Sequence, residues 1–273
     1  MAPVRDGRAS ASALPTLLRR EPTDADRAFL DPSIVRVDER LAAISNLDPS
    51  SIDAEALTRA RIASSSTLRP NALRPSNDPV AAMRAWSVAN DFILARVAAD
   101  DPLTLEGIRR VNAIVLGAGG TSSYRAADRW FDGSLCAPFD EIESLLAPML
   151  GAVDERRAAD GVLFGAGLLY QWLVSIHPFD DANGRTSRLV TDWFLGLHGY
   201  VPLSFAVSFD SFVAVFPTDE PPRSVRRGVE AIVTGVSHTL DVLVRPARKA
   251  CEASVSSCTE RAVVSRLPRT PRP

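Results

Sequence analysis

Residues 177 to 188 read His-Pro-Phe-Asp-Asp-Ala-Asn-Gly-Arg-Thr-Ser-Arg, so an imidazole, two carboxylates, a glycine turn and two arginines fall within one short stretch. Transfer of a phosphorus group asks a protein mainly for positioning, neutralisation of phosphate charge and removal of one proton. Each demand has a candidate. An imidazole ordinarily titrates near neutral pH, so that of His177 is a candidate general base on an attacking hydroxyl. Asp181 offers one hard oxygen, which suits a Mg²⁺ held mostly by water and substrate phosphates. Ala182, Asn183 and Gly184 lead into a helix whose first N–H groups attract anions, with glycine letting the backbone approach closely. The Asn183 amide is expected to face the innermost phosphate. Arg185 and Arg188 stand three apart on one helical face and can grip the outer phosphates through forked donors. Each residue also has a plain structural role open to it: a helix-terminal histidine bonded to backbone, Asp180 or Asp181 as a cap, a simple turn, or solvated arginines. Phe179 and Pro178 read as structural, an anchor below the loop and a stiffener of it.

The elements that must position this stretch are mostly helices. An apolar run over residues 161 to 176 leads into His177, and Leu189, Val190, Trp193, Phe194 and Leu197 make the apolar stripe of a helix from Gly184 to Leu197. Upstream, Ile34, Val37, Leu41 and Ile44 have helical spacing, and the alanine-rich text from Ala54 to Ala63 gives a second helix. Residues 64 to 78 read as a connector. Asp78-Pro79 caps a long helix through Val97, Thr104 to Val115 makes another, and helices are expected at Asp140 to Val153 and Ala159 to Ile176. Between them Asp132-Gly133, flanked by aromatic and apolar residues, signals a β-hairpin. Val201 to Phe216 reads as a short strand or a packed loop, and a helix follows from Pro222 to Leu243.

This gives a mainly α fold with one small hairpin. The expected divisions are a flexible N-terminal tail over 1–32, an N-terminal helical segment with its connector over 33–78, and a catalytic core over 79–200. A mainly helical extension over 201–265 and a disordered tail over 266–273 complete the chain.

At 273 residues and 46% hydrophobic content, the chain can bury a sizeable core. Thirty-one basic against 33 acidic residues leave a net charge of −2, with no global field to draw nucleic acid or an anionic membrane. Cys136, Cys251 and Cys258 are too few and scattered for a disulfide scaffold, so a reducing, cytoplasmic setting is expected. The opening residues lack the apolar region of a signal peptide; export as an effector would need another route. The 161–176 run is shorter than the ~20 residues a bilayer-spanning helix needs.

The motif resembles the signature of the Fic (Fido) domain family, His-x-Phe-x-Asp/Glu-Gly/Ala-Asn-Gly-Arg-x-x-Arg. His177, Phe179, Asp181, Ala182, Asn183, Gly184, Arg185 and Arg188 fill every fixed position. The stretch Tyr124-Arg125 to Trp130-Phe131-Asp132-Gly133, then Ala137-Pro138, is similar to the family's flap. The resemblance spans about Ser33 to Tyr200. It implies a Fic-type helical bundle and a protein adenylyltransferase that moves AMP from ATP, with Mg²⁺, onto a Ser, Thr or Tyr hydroxyl. In that reading His177 is the base, Asp181 the metal ligand, and Ala182, Asn183, Gly184, Arg185 and Arg188 the nucleotide site. Trp130, Phe131, Asp132 and Gly133 form a flap that docks a target protein as an added strand.

Many family members carry an inhibitory helix with Ser/Thr-x-x-x-Glu-Gly/Asn, whose glutamate pairs with the second motif arginine. In the aligned stretch Glu55 to Ser64, Ala63 stands in the glutamate's place and Ser64 in the glycine's. Ser51 with Glu55, and Ser256 with Glu260, keep the spacing but lack the closing Gly or Asn. Weak or absent autoinhibition in cis is therefore expected. Relatives also transfer UMP, phosphate or phosphocholine. Gly184, where a phosphate-transferring branch has lysine, favours nucleotidyl transfer without choosing the base. A nucleotide-binding interaction module without turnover is the reading from another class; His177 argues against it, since binding alone needs no base. An all-helical scaffold with an incidental loop is disfavoured by the completeness of the motif.

Overall fold

The computed structural model of the chain describes residues 21–46, 55–58, 60–61, 79–131, 134–204 and 226–243. The described residues are arranged as helices α1 (Asp24–Ser45), α2 (Pro79–Ala98) and α3 (Leu105–Val115), then strands β1 (Trp130–Phe131) and β2 (Ser134–Leu135). A 3₁₀ turn (Phe139–Glu141) leads to α4 (Ile142–Leu146), α5 (Met149–Asp160), α6 (Val162–Ile176) and α7 (Asn183–Leu197). Residues 55–58, 60–61 and 226–243 are also helical, the last forming α8.

α1 begins earlier than the apolar periodicity suggests. Thr23 Oγ1 accepts the Asp26 N–H while the Asp26 carboxylate accepts the Thr23 N–H, a capping box that starts the helix at Asp24. Residues 24–32, expected as part of a tail, therefore belong to α1. Pro32 sits inside the helix and disguises this in the sequence, because proline lacks the N–H that continues the ladder. Thr104, expected as the first residue of this helix, is its cap, the hydroxyl accepting the Gly107 N–H.

α6 is apolar but for Gln171, Ser175 and the Tyr170 hydroxyl, and every residue from Leu163 to Ile176 is buried. Such a helix has no solvent face and must sit at the centre of a bundle. α5 and α7 pack directly on it, α2 and α3 pack on α7, and Trp172 Nε1 donates to the Leu145 carbonyl of α4. α8 also comes close: a Cβ on Gly167 would lie 2.8 Å from the Val229 nitrogen, and one on Gly228 2.8 Å from the Gly167 oxygen. Glycine at both positions is what lets these two backbones touch.

Two expected helices have different bounds. The helix expected over Asp140 to Val153 is split at Ala147 and Pro148 into α4 and α5. The one expected from Ala159 starts at Val162, because Gly161 at φ 101° ends α5 in a conformation L side chains rarely adopt. Residues 201–204 form a loop rather than a strand. The expected tails over 1–20 and 266–273, the connector over 64–78 and the segment 205–216 lie outside the described residues. No described helix is long and apolar enough to cross a membrane.

Candidate active site

The motif is the connection between the central helix and α7. His177 caps α6 in the left-handed region, φ 55° and ψ 59°, with its N–H donating to the Leu173 carbonyl at 3.0 Å. Holding a non-glycine residue there costs on the order of 1–3 kcal/mol, and such strain tends to gather at functional sites. The turn lifts His177 out of the α6 register, so it is half-buried while Ile176 before it is fully covered. Ala182, buried, is likewise left-handed at φ 62° and opens α7.

Between them the chain is closed by Asn183. Its Oδ1 accepts the Phe179 N–H at 2.9 Å and its Nδ2 donates to the Phe179 carbonyl at 2.8 Å. The amide is thus a staple across the loop. One donor and the acceptor oxygen of this buried amide are engaged by one backbone residue, a structural role beside the phosphate contact expected from the sequence. Phe179 is buried as an anchor, its ring 5.8 Å from that of Tyr124. Asp181 is half-buried, with Oδ1 accepting the Ala182 N–H at 2.6 Å. From α3, Asn112 Nδ2 donates to the Asp181 carbonyl and to Thr186 Oγ1, both at 3.0 Å, fixing the loop to the first turn of α7.

Gly184 and Arg185 are half-buried at the start of α7, and Arg188 is buried one turn on. Burial pushes the Arg185 guanidinium below its usual pKa; the Asp181 carboxylate raises it and Arg188 lowers it further. Asp192, a further turn along, accepts from Arg61 and from the Leu203 N–H at 2.6 Å. Burial pushes its carboxyl above the usual range, while Arg61, the Leu203 N–H and the charge of Arg188 pull it back. Arg61 also donates to Asn90 Oδ1 at 2.6 Å and lies over the Trp86 ring. From the segment aligned with an inhibitory helix, a cation thus reaches α7. Ala63, Ser64 and Ser51 lie outside the described residues, as do Ser256 and Glu260.

β1 and β2 pair antiparallel, Trp130 opposite Leu135 and Phe131 opposite Ser134. Trp130 is 65% exposed, and an indole so placed at a strand end is available for contact. Asp132 and Gly133 lie outside the described residues. An Arg129–Asp180 ion pair of 2.7 Å joins the hairpin base to the motif loop. Below it, Arg125 is buried and donates to four main-chain carbonyls, those of Ala127, Ala137, Ile176 and His177. The Cys136 thiol, buried nearby, is pushed up to about 11 by burial against the opposing pull of Arg125.

Sequence reasoning passed over Asn112, Arg61 and the particular part played by Arg125. Asn112 had a signal, a lone amide in the otherwise apolar face made by Ile108, Val111 and Val115. Arg61 had none, because only the tertiary fold brings it to Asp192.

Among the described residues no three His, Cys, Asp or Glu side chains cluster as a metal cage. A single carboxylate beside anion-binding N–H groups fits a Mg²⁺ carried in by a polyphosphate rather than a preformed site.

Residues 102–195 match the Fic/DOC family. A uridine 5'-monophosphate transferase of Xanthomonas campestris pv. campestris is 30% identical over 139 residues, 44% of this chain and 26% of the relative, so the chain spans about a quarter of that protein. A Fic domain containing signaling protein from Bacteroides thetaiotaomicron superposes with a TM-score of 0.61 at 16% identity, over 77% of this chain and 96% of that one. IbpAFic2, covalently tethered to Cdc42, superposes with a TM-score of 0.59 at 16% identity, over 85% and 76%. The motif loop lies within residues 102–195, the stretch of this chain that matches the Fic/DOC family, and the helical fold around it is similar to that of solved Fic domains.

Proposed function

We propose that this chain transfers a nucleoside monophosphate from a nucleoside triphosphate to a Ser, Thr or Tyr hydroxyl of another protein, with AMP from ATP as the first reading. The observation that carries it is the left-handed turn at His177, which ends α6 and begins the loop leading to the N-terminus of α7, with Arg185 and Arg188 on that helix. IbpAFic2 in complex with adenylylated Cdc42 supports the reading by analogy of fold.

In the proposed reaction the acceptor oxygen attacks the α-phosphorus while His177 takes its proton. A new P–O bond forms as the α–β bridge breaks, and pyrophosphate leaves with the electron pair. Mg²⁺ bound at Asp181 would neutralise charge on the phosphates. The first N–H groups of α7 and the forks of Arg185 and Arg188 hold the polyphosphate, and the positive end of the helix favours its charge. Trp130 and Phe131 of β1 offer the hairpin edge on which a target segment would dock as an added strand.

A second reading, UMP from UTP, is favoured by the uridine 5'-monophosphate transferase relative at 30% identity. One experiment separates these. The purified chain is incubated with Mg²⁺, a lysate and α-labelled ATP or UTP, beside a His177→Ala variant. Label fixed to protein from one nucleotide, and lost in the variant, is the expected result and names the donor. Saturable nucleotide binding with no label fixed from either would overturn the reading in favour of a binding module.

A further inference from the structure

We infer that Arg125 is a positioning residue for this reaction: it locks the base of the hairpin to the end of α6 and so sets the distance between a docked acceptor strand and the His177 imidazole. The inference rests on the function proposed above and adds a residue to it.

Arg125 is 2% exposed, and all its side-chain hydrogen bonds run to main-chain carbonyls. Nε donates to the His177 carbonyl at 2.8 Å, and one terminal nitrogen to Ala127 at 2.8 Å. The other reaches Ile176 at 3.3 Å and Ala137. Its own N–H donates to the Pro178 carbonyl at 2.9 Å. Ala127 and Ala137 stand on the two sides of the hairpin, and Ile176, His177 and Pro178 are the end of α6 and the residues that carry the base.

Arginines buried to this degree are ordinarily paired with a carboxylate. Here burial pulls the guanidinium below its usual pKa, with only lesser charge effects from Cys136, Asp128, Arg129 and Asp180. The compensation comes from the C-terminal carbonyls of α6, where the helix dipole is negative. A planar fork with donors on three nitrogens is the one side chain that can serve carbonyls from both segments at once.

The geometric consequence follows from strand addition. A peptide paired to the hairpin edge lies ≈ 4.8 Å from it, fixed by backbone hydrogen bonds. The reach from its hydroxyl to His177 is then set by how the hairpin base is tied to α6, and Arg125 is the buried tie, beside the exposed Arg129–Asp180 pair. Nε and both terminal nitrogens of Arg125 are engaged by main-chain carbonyls, so the proposal gives it no part in holding a nucleotide on α7.

Arg125→Lys and Arg125→Met are compared with the wild type for binding of non-hydrolysable ATP and UTP analogues, for transfer to protein, and for release of nucleoside monophosphate to water. Analogue affinity is expected to stay within about twofold while transfer to protein falls roughly 10²-fold, the scale of a 1 Å misplacement, and transfer to water falls less. Unchanged transfer to protein, or affinity falling in step with both reactions, would overturn the inference. A wild type that transfers nothing to protein sinks the proposed function instead, which keeps the two failures apart. Hydrogen exchange of the wild type gives a reading that needs no variant to fold. The amides of Arg125 and Cys136, bonded to Pro178 and Arg129, should be protected together with that of His177. Free exchange at the first two beside a protected His177 would refute the tie.

Discussion

The Asn183 amide commits its donor and its acceptor to the main chain of Phe179, and that pair of bonds closes the loop between α6 and α7. Both partners are buried, so removing the amide leaves an N–H and a carbonyl without their bonds in a place water reaches poorly. Asn183→Ala is expected to lower stability by about 2 kcal/mol in urea unfolding, with loss of transfer following from the slackened loop. An unchanged unfolding midpoint with nucleotide binding abolished would instead show a direct phosphate contact for this side chain. At this scale the motif was legible as a set of residue types, since base, carboxylate and arginines follow from chemistry. The division of labour among them was not. Amides serve backbone and ligand equally well, and only coordinates show that Asn183 does the former.

α1 is held to the bundle through polar contacts at its two ends. Arg27 meets Asp160 at the end of α5 at 2.8 Å, and Arg40 meets Asp241 of α8 at 2.7 Å. Tyr200, just after α7, donates to Asp38 at 2.8 Å. Asp160 is the node, since Arg156 reaches it as well at 2.7 Å. Burial would raise its pKa, but hydrogen bonds and charge from Arg27 and Arg156 outweigh that, and the carboxyl sits below the usual range. A folded pKa below the unfolded one means that the stabilisation is present above the unfolded value, near 4, and is lost as pH falls through the folded value. Asp160→Asn should therefore cost about 1–3 kcal/mol at pH 7, with the difference from wild type shrinking as unfolding is repeated toward pH 3. A gap that stays constant with pH would show that the ionised carboxylate is not what holds α1. The start of α1 could have been placed from Thr23 and Asp26, whose capping box is a sequence signal; Pro32 masked it.

Across the whole molecule, the buried helix α6 fixes where everything else stands. α5 and α7 cover it, and α8 is drawn so close that Gly167 and Gly228 meet backbone to backbone. Gly228→Ala would place a methyl 2.8 Å from the Gly167 oxygen, a contact that rigid helix backbone cannot relieve by rotating a side chain. A loss of about 1–3 kcal/mol is expected from such overpacking, read as a lower urea midpoint at unchanged slope. A neutral substitution would mean that α8 shifts freely on α6. The amino-acid sequence by itself determined the helical class, the bounds of α2, α3 and α7 and the residue types gathered in 177–188, because periodicity, caps and a dense motif are local signals. Only the tertiary structure decided that Arg125 binds the hairpin to His177, that Arg61 reaches Asp192 across the fold, and that Asn112 holds the loop from a different helix. Those contacts join residues distant in sequence, and no spacing along a chain encodes which far carbonyl or carboxylate a buried side chain will meet.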